Sequence, residues 1–306
     1  MKNQKLPMIH SPIDLRGVFP PIPTPFNAEG EVDTQKLAAN LERWNQYDLT
    51  GYVVLGSNGE AGFLTEDEKM RVWETAREGI PSDKLIIAGA GCESTRQTIA
   101  LTQRSAQVGA DAVLLVTPHY YDCGMTPQSL IHHYQTVADE VPIPVILYNV
   151  PKFTHVDLDA PTIAQLSQHP NIIGIKDTGG NLAKMADTVR LAEDDFQVLV
   201  GSASFLLAGL TVGAVGGVMA LSSVAPEKCF KLLRLFHAGD REGAAQLQRE
   251  MILVNAAITS QFGIAGLKFA LDLLGYYGGP VRSPLLPLTE EEQHKLRDIL
   301  VEGGVL

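Results

Sequence analysis

Short apolar runs alternate with amphipathic stretches almost from end to end of the chain. The runs Gly17–Ile22, Gly51–Leu55, Leu85–Ala88, Ala112–Val116, Val145–Tyr148, Ile172–Lys176, Val198–Val200 and Gly216–Met219 read as strands. That is about eight, the number that closes a parallel barrel. The stretches between them carry helix-start signals. Thr65-Glu66-Asp67-Glu68 and Ser94-Thr95-Arg96-Gln97 fit the reciprocal capping box, and Thr126-Pro127 sets a capping hydroxyl before a first-turn proline. Ser223 and Pro226 open another helix less cleanly. Strands and helices alternating at this spacing predict βα units around a parallel sheet. An open doubly wound sheet would need a glycine-rich phosphate loop after its first strand, and Gly17-Val18-Phe19-Pro20-Pro21 is not one. The pattern therefore predicts a (β/α)8 TIM barrel.

After about residue 240 the strand signals stop. Arg241–Ile258, Leu267–Leu274 and Glu290–Val301 read as helices, with Tyr276-Tyr277-Gly278-Gly279-Pro280 as a turn between the last two. The expected division is a barrel over 13–240 and a helical extension over 241–306. Phe196–Pro226 lacks charge, but glycines and serines break it into pieces too short to span a membrane.

The chemistry of a (β/α)8 enzyme sits at the C-terminal ends of its strands. One such end is unusual. Ile172-Ile173-Gly174-Ile175-Lys176-Asp177 is a β-branched run that finishes in a lysine. Such a lysine reaches solvent, pairs with Asp177, or is buried. Burial disfavours the ammonium and leaves a neutral amine able to form a Schiff base with a ketone. Other strand ends offer Gly56-Ser57-Asn58-Gly59-Glu60, His119-Tyr120-Tyr121, Tyr148-Asn149 and Gly201-Ser202. Carbinolamine formation, dehydration and retro-aldol cleavage all need proton transfers, which a tyrosine relayed through a hydroxyl can supply. The glycines around Ser57 and Asn58 let backbone N–H groups approach a carboxylate. Each also has a plainer reading: Gly56–Gly59 as a tight turn, Tyr148 as a buried phenol, Tyr120 and Tyr121 as interface aromatics, and Glu60 as a structural group binding backbone N–H groups at the turn.

Composition removes several classes. A net charge of -11 with no basic run argues against nucleic acid or anionic membrane partners. Three scattered cysteines, Cys92, Cys123 and Cys229, fit a reducing compartment rather than a disulfide framework. Met1–Arg16 has neither an apolar signal core nor a transit-peptide pattern, so a cytoplasmic setting is expected. No histidine–carboxylate cluster is spaced for a cation, and a protonated imine is itself an electron sink. No metal or cofactor is expected.

The motifs Gly56-Ser57-Asn58-Gly59-Glu60, Leu147-Tyr148-Asn149-Val150-Pro151 and Gly174-Ile175-Lys176-Asp177 resemble those of the dihydrodipicolinate synthase / N-acetylneuraminate lyase superfamily of class I aldolases. The likeness covers residues 13–306. Within it, Gly91-Cys92-Glu93-Ser94-Thr95, Leu130-Ile131-His132-His133-Tyr134 and Tyr276–Pro280 look most like 4-hydroxy-2-oxoglutarate aldolase. The resemblance implies a homotetramer acting on a small keto acid. It makes Lys176 the Schiff-base nucleophile and Tyr148 the proton carrier, with Ser57 and Asn58 holding the carboxylate. Thr178 and Gly201 would be further substrate contacts. Tyr120 would reach a neighbouring subunit's site and complete a relay with Ser57 and Tyr148.

Two departures bear on specificity. Dihydrodipicolinate synthases carry an arginine five residues past the catalytic tyrosine, which clamps the aldehyde substrate's carboxylate; that position is Phe153 here. An apolar ring cannot replace a bidentate clamp. The synthase's second turn threonine is Asn58. The expected activity is thus reversible cleavage of a 2-keto acid such as 4-hydroxy-2-oxoglutarate to pyruvate and glyoxylate. Dihydrodipicolinate synthase, a 2-keto-3-deoxy-sugar-acid aldolase, and a keto-acid-binding barrel without turnover are the alternatives.

Overall fold

The structure, a computed structural model, describes residues 13–306. Most of the N-terminal stretch expected to lack a targeting signal, through residue 12, lies outside the described residues. Nine parallel segments form one sheet: β1 (Gly17–Phe19), β2 (Pro21–Ile22), β3 (Gly51–Val54), β4 (Leu85–Gly89), β5 (Ala112–Val116), β6 (Val145–Asn149), β7 (Ile172–Asp177), β8 (Gln197–Val200) and β9 (Gly216–Val218). β1 and β2 are halves of the single first strand that the sequence predicts. Pro20 separates them because its nitrogen has no proton to give a ladder. β1 pairs with β9 and β2 with β3, so the sheet meets itself and the (β/α)8 barrel closes. A side chain on Gly216 would stand 2.2 Å from the Gly17 carbonyl oxygen, so closure there needs glycine.

A helix follows each strand position, from Thr34–Trp44 round to Pro226–His237. Side chains of the barrel interior, among them Phe19, Val53, Leu114, Ile146 and Leu199, form a core of their own beneath the C-terminal mouth. A larger apolar layer fills the space between strands and helices. The capping expectations hold with one difference. Thr65 and Glu68 form the full reciprocal box, whereas Ser94 accepts from the Gln97 amide and returns its own hydroxyl to the Gln97 side chain. Thr126 caps Pro127–Glu140 through the Ser129 amide.

The last helices are Arg241–Ala256, Gly263–Leu273 and Glu290–Glu302. The first stops short of its predicted end because the chain widens into a π-turn at Ala257–Gln261. The second begins earlier than predicted. Gly266 lies within it, where a side chain would strike Phe262. The turn after it docks back on the barrel. Tyr276 stacks on Trp44 at 5.1 Å, and Asn40 exchanges two 2.8 Å hydrogen bonds with the Tyr277 backbone. Among the described residues no helix is long and apolar enough to cross a membrane.

Candidate active site

Lys176 and Tyr148 are paired across β6 and β7. Strand pleating explains where the lysine goes. Ile175 faces the outer apolar layer, so Lys176 points into the barrel and Asp177 outward again. Asp177 is occupied on that outer side, bonded to Lys184 at 2.9 Å and to the Gly179 amide at 2.6 Å. It is therefore not the partner of Lys176. The lysine is 4% exposed, and its Nζ lies 4.1 Å from the centre of the Tyr148 ring. Loss of water lowers its pKa from 10.5 to about 7. Near neutrality much of the amine is unprotonated and aimed into the mouth.

Tyr148 is 5% exposed, and burial raises its phenol to about 12, partly offset by a hydrogen bond with Ser57. The Ser57 Oγ and Tyr148 hydroxyl oxygens are 3.2 Å apart. Ser57 comes from the turn after β3, a single 3-10 turn over Ser57–Gly59. Leu55 and Glu60 flank it with φ of +65° and +54°, backbone that side-chain-bearing residues rarely adopt. Asn58 shares the turn and is half-buried. From the first strand's loop, the Thr24 hydroxyl donates to the Gly59 carbonyl at 2.6 Å.

On the other side of the mouth, Thr178 donates its amide and hydroxyl to the Asn149 carbonyl at 3.0 and 2.8 Å. Gly201 donates to the Asp177 carbonyl at 2.7 Å, and a Cβ there would lie 2.0 Å from Thr178 Cγ2. The two residues are thus packed together at the ends of β7 and β8. Tyr120 is not brought into this chain's own site. It is 75% exposed and packs edge-on against Tyr121 at 4.9 Å. Its loop is gripped by Glu93, which accepts the His119 and Tyr120 amides at 2.9 Å each. Among the described residues there is no cluster of three or more metal-type ligands.

Residues 14–302 match the Dihydrodipicolinate synthetase family. The chain belongs to that family. It is 35% identical over 288 residues to the 4-hydroxy-tetrahydrodipicolinate synthase of Methanothrix thermoacetophila, covering 94% of this chain and 96% of that protein. The dihydrodipicolinate synthase DapA-2 of Bacillus anthracis superposes with a TM-score of 0.91 at 32% identity, covering 94% of this chain and 98% of that one. A chloride-inhibited synthase of Acinetobacter baumannii, complexed with pyruvate, gives a TM-score of 0.90 at 31% identity, covering 96% of this chain and all of that one. These relatives are named for the synthase rather than for 4-hydroxy-2-oxoglutarate aldolase. They correct the narrower likeness suggested by the sequence segments. The broader one stands: the chain is a class I lyase of the dihydrodipicolinate synthase type.

Sequence reasoning missed Thr24 and Glu93, which hold the site's loops, and Lys268 and Arg282, which bind the Glu60 carboxylate at the end of the Ser57 turn. One signal was available. Lys268 sits in Gly266-Leu267-Lys268-Phe269-Ala270-Leu271, an apolar helix face, much as Lys176 ends an apolar strand.

The buried amine has a stability signature. An unfolded lysine keeps its proton up to about pH 10.5, whereas folded Lys176 releases it near 7. Between those values the unfolded chain binds more protons, so stability falls as pH drops toward 7 and levels off below it. Lys176→Met should therefore stabilise the fold at pH 7 by roughly 3–5 kcal/mol, with the gain vanishing near pH 10.5. Urea denaturation across pH checks this; a pH-independent difference contradicts it. Tyr148→Phe should lower kcat by about 10²–10⁴ with the fold intact. A near-normal rate would leave the phenol a packing role only.

Proposed function

We propose that Lys176 is the Schiff-base nucleophile, Tyr148 the general acid and base, and pyruvate the shared keto-acid partner. The observation that carries this reading is the buried amine standing 4.1 Å from a phenol ring whose hydroxyl meets Ser57 at 3.2 Å. The Lys176 amine adds to the substrate's keto carbon, giving a carbinolamine. Tyr148 and Ser57 pass a proton to its hydroxyl, which leaves as water; the carbinolamine becomes an iminium and Tyr148 a phenolate. The Tyr148 phenolate then takes the proton of the C4 hydroxyl as the bond between the third and fourth carbons breaks, its electron pair passing into the iminium. An aldehyde departs and an enamine is left on Lys176. Protonation and hydrolysis then release pyruvate and restore the amine. Run in reverse, the same enamine attacks an aldehyde. Ser57, Asn58 and the turn amides hold the keto acid's carboxylate, with Thr178 and Gly201 as further contacts. No cofactor enters these steps.

Two finer readings divide on the second reactant. The names of the relatives support a synthase that condenses pyruvate with an aldehyde bearing a carboxylate. Phe153 supports the cleavage of 4-hydroxy-2-oxoglutarate. It lies on the turn Pro151–Thr154 and is 58% exposed; by the family resemblance, its place five residues past Tyr148 is that of the synthase arginine. We take the cleavage reading as the finer proposal, in a cytoplasmic homotetramer in which Tyr120 enters a neighbouring subunit's site. Its exposed ring on an ordered loop supports that last role.

A substrate panel tests the reading. Pyruvate and glyoxylate release from 4-hydroxy-2-oxoglutarate should exceed condensation of pyruvate with aspartate semialdehyde, and Phe153→Arg should shift the ratio toward condensation. The reverse order in the native chain would favour the synthase. No turnover with any keto acid would favour a binding barrel.

A further inference from the structure

Glu60 closes the turn that carries Ser57 and Asn58, yet its side chain faces away from the barrel mouth's reacting groups. It is 2% exposed, and its Oε1 lies 2.6 Å from Nζ of Lys268, which is 1% exposed. Its Oε2 accepts the Arg282 backbone N–H at 2.8 Å. Lys268 spends another donor on the Pro280 carbonyl at 2.7 Å. The Lys268 ammonium and the Arg282 guanidinium each lie 4.3 Å from the centre of the Phe26 ring. Arg282 also forks onto both oxygens of Glu68, at 2.6 and 2.9 Å, and donates to the Phe63 carbonyl at 2.9 Å. One carboxylate thus ties the turn after β3 to the helix Gly263–Leu273 and to the segment beyond it.

Docking a helix does not require this chemistry. A buried ion pair loses hydration that an apolar contact would not, and similar-sized apolar residues often hold a core equally well. What the pair supplies is orientation. A carboxylate fixed by an ammonium on one oxygen and a backbone amide on the other cannot rotate. It clamps a residue in the left-handed region at the edge of a three-residue turn. We propose that Glu60 is a positioning residue, through which Lys268 and Arg282 set the Ser57–Asn58 turn to receive the substrate carboxylate. This rests on Ser57 and Asn58 being the carboxylate-binding pair.

The test uses the full chain and pyruvate alone, so the second reactant does not matter. Borohydride trapping of the protein–pyruvate adduct is followed against pyruvate concentration. In Glu60→Gln the half-saturating concentration should rise about tenfold to a hundredfold, while the adduct at saturation stays at the native level. The double variant Glu60→Gln/Lys268→Met removes both charges and should melt near the native temperature with half-saturation still raised. A folded Glu60→Gln with half-saturation within about twofold of native overturns the proposal. So does recovery of native half-saturation in the double variant, which would trace the defect to a stranded charge. Failure of the native chain to trap pyruvate would instead overturn the reading of Lys176.

Discussion

The site depends on the removal of water from one ammonium group. Lys176 ends a strand that is apolar on both faces and sits above a barrel interior filled with side chains. Among the described residues no carboxylate pairs with it: the adjacent one, Asp177, is turned outward and held by Lys184 and Gly179. The cheapest response is loss of the proton, and a deprotonated lysine is a nucleophile. The barrel thus lowers the amine's pKa by burying it, which is what the proposed Schiff-base role requires. The same register that aims the amine inward sets Tyr148 beside it, because parallel pairing fixes which residues of neighbouring strands stand at one level.

The loops then supply what a strand cannot. Ser57 reaches the phenol from a turn whose ends are held in rarely used backbone conformations, and such geometry persists only when its surroundings over-determine it. Thr24 holds it from the barrel, and Glu60 from the C-terminal helices. The helices past residue 240 bury the Lys268 end of that link and dock Tyr276 and Tyr277 against the first barrel helix. They are structurally continuous with the mouth and not a passive appendage.

The barrel was legible in the sequence because strands buried on both faces appear as unbroken apolar runs, and its helices announce themselves through capping residues. The placement of Lys176, Tyr148 and Ser57 at one mouth was legible because each ends or follows such a run, where side chains converge. Other features leave no local trace. Glu60 and Lys268 meet only through the fold, and Glu93's hold on the Tyr120 loop joins two separate strand ends. The split at Pro20 and the early start of Gly263–Leu273 differ from the sequence reading: proline gives the ladder no N–H, and Gly266 is needed where a side chain would strike Phe262. Which reactant meets the enamine is, in the proposed reading, set by loop residues such as Phe153. There, family likeness and side-chain chemistry point in different directions.

The most direct test of a neutral, buried amine is borohydride trapping of pyruvate, with the adduct mapped by mass spectrometry and its rate followed against pH. A single adduct on Lys176, with a rate rising through a midpoint near pH 7, is the expected result. An adduct on another lysine, or a midpoint near that of an ordinary lysine at about 10.4, would contradict the account.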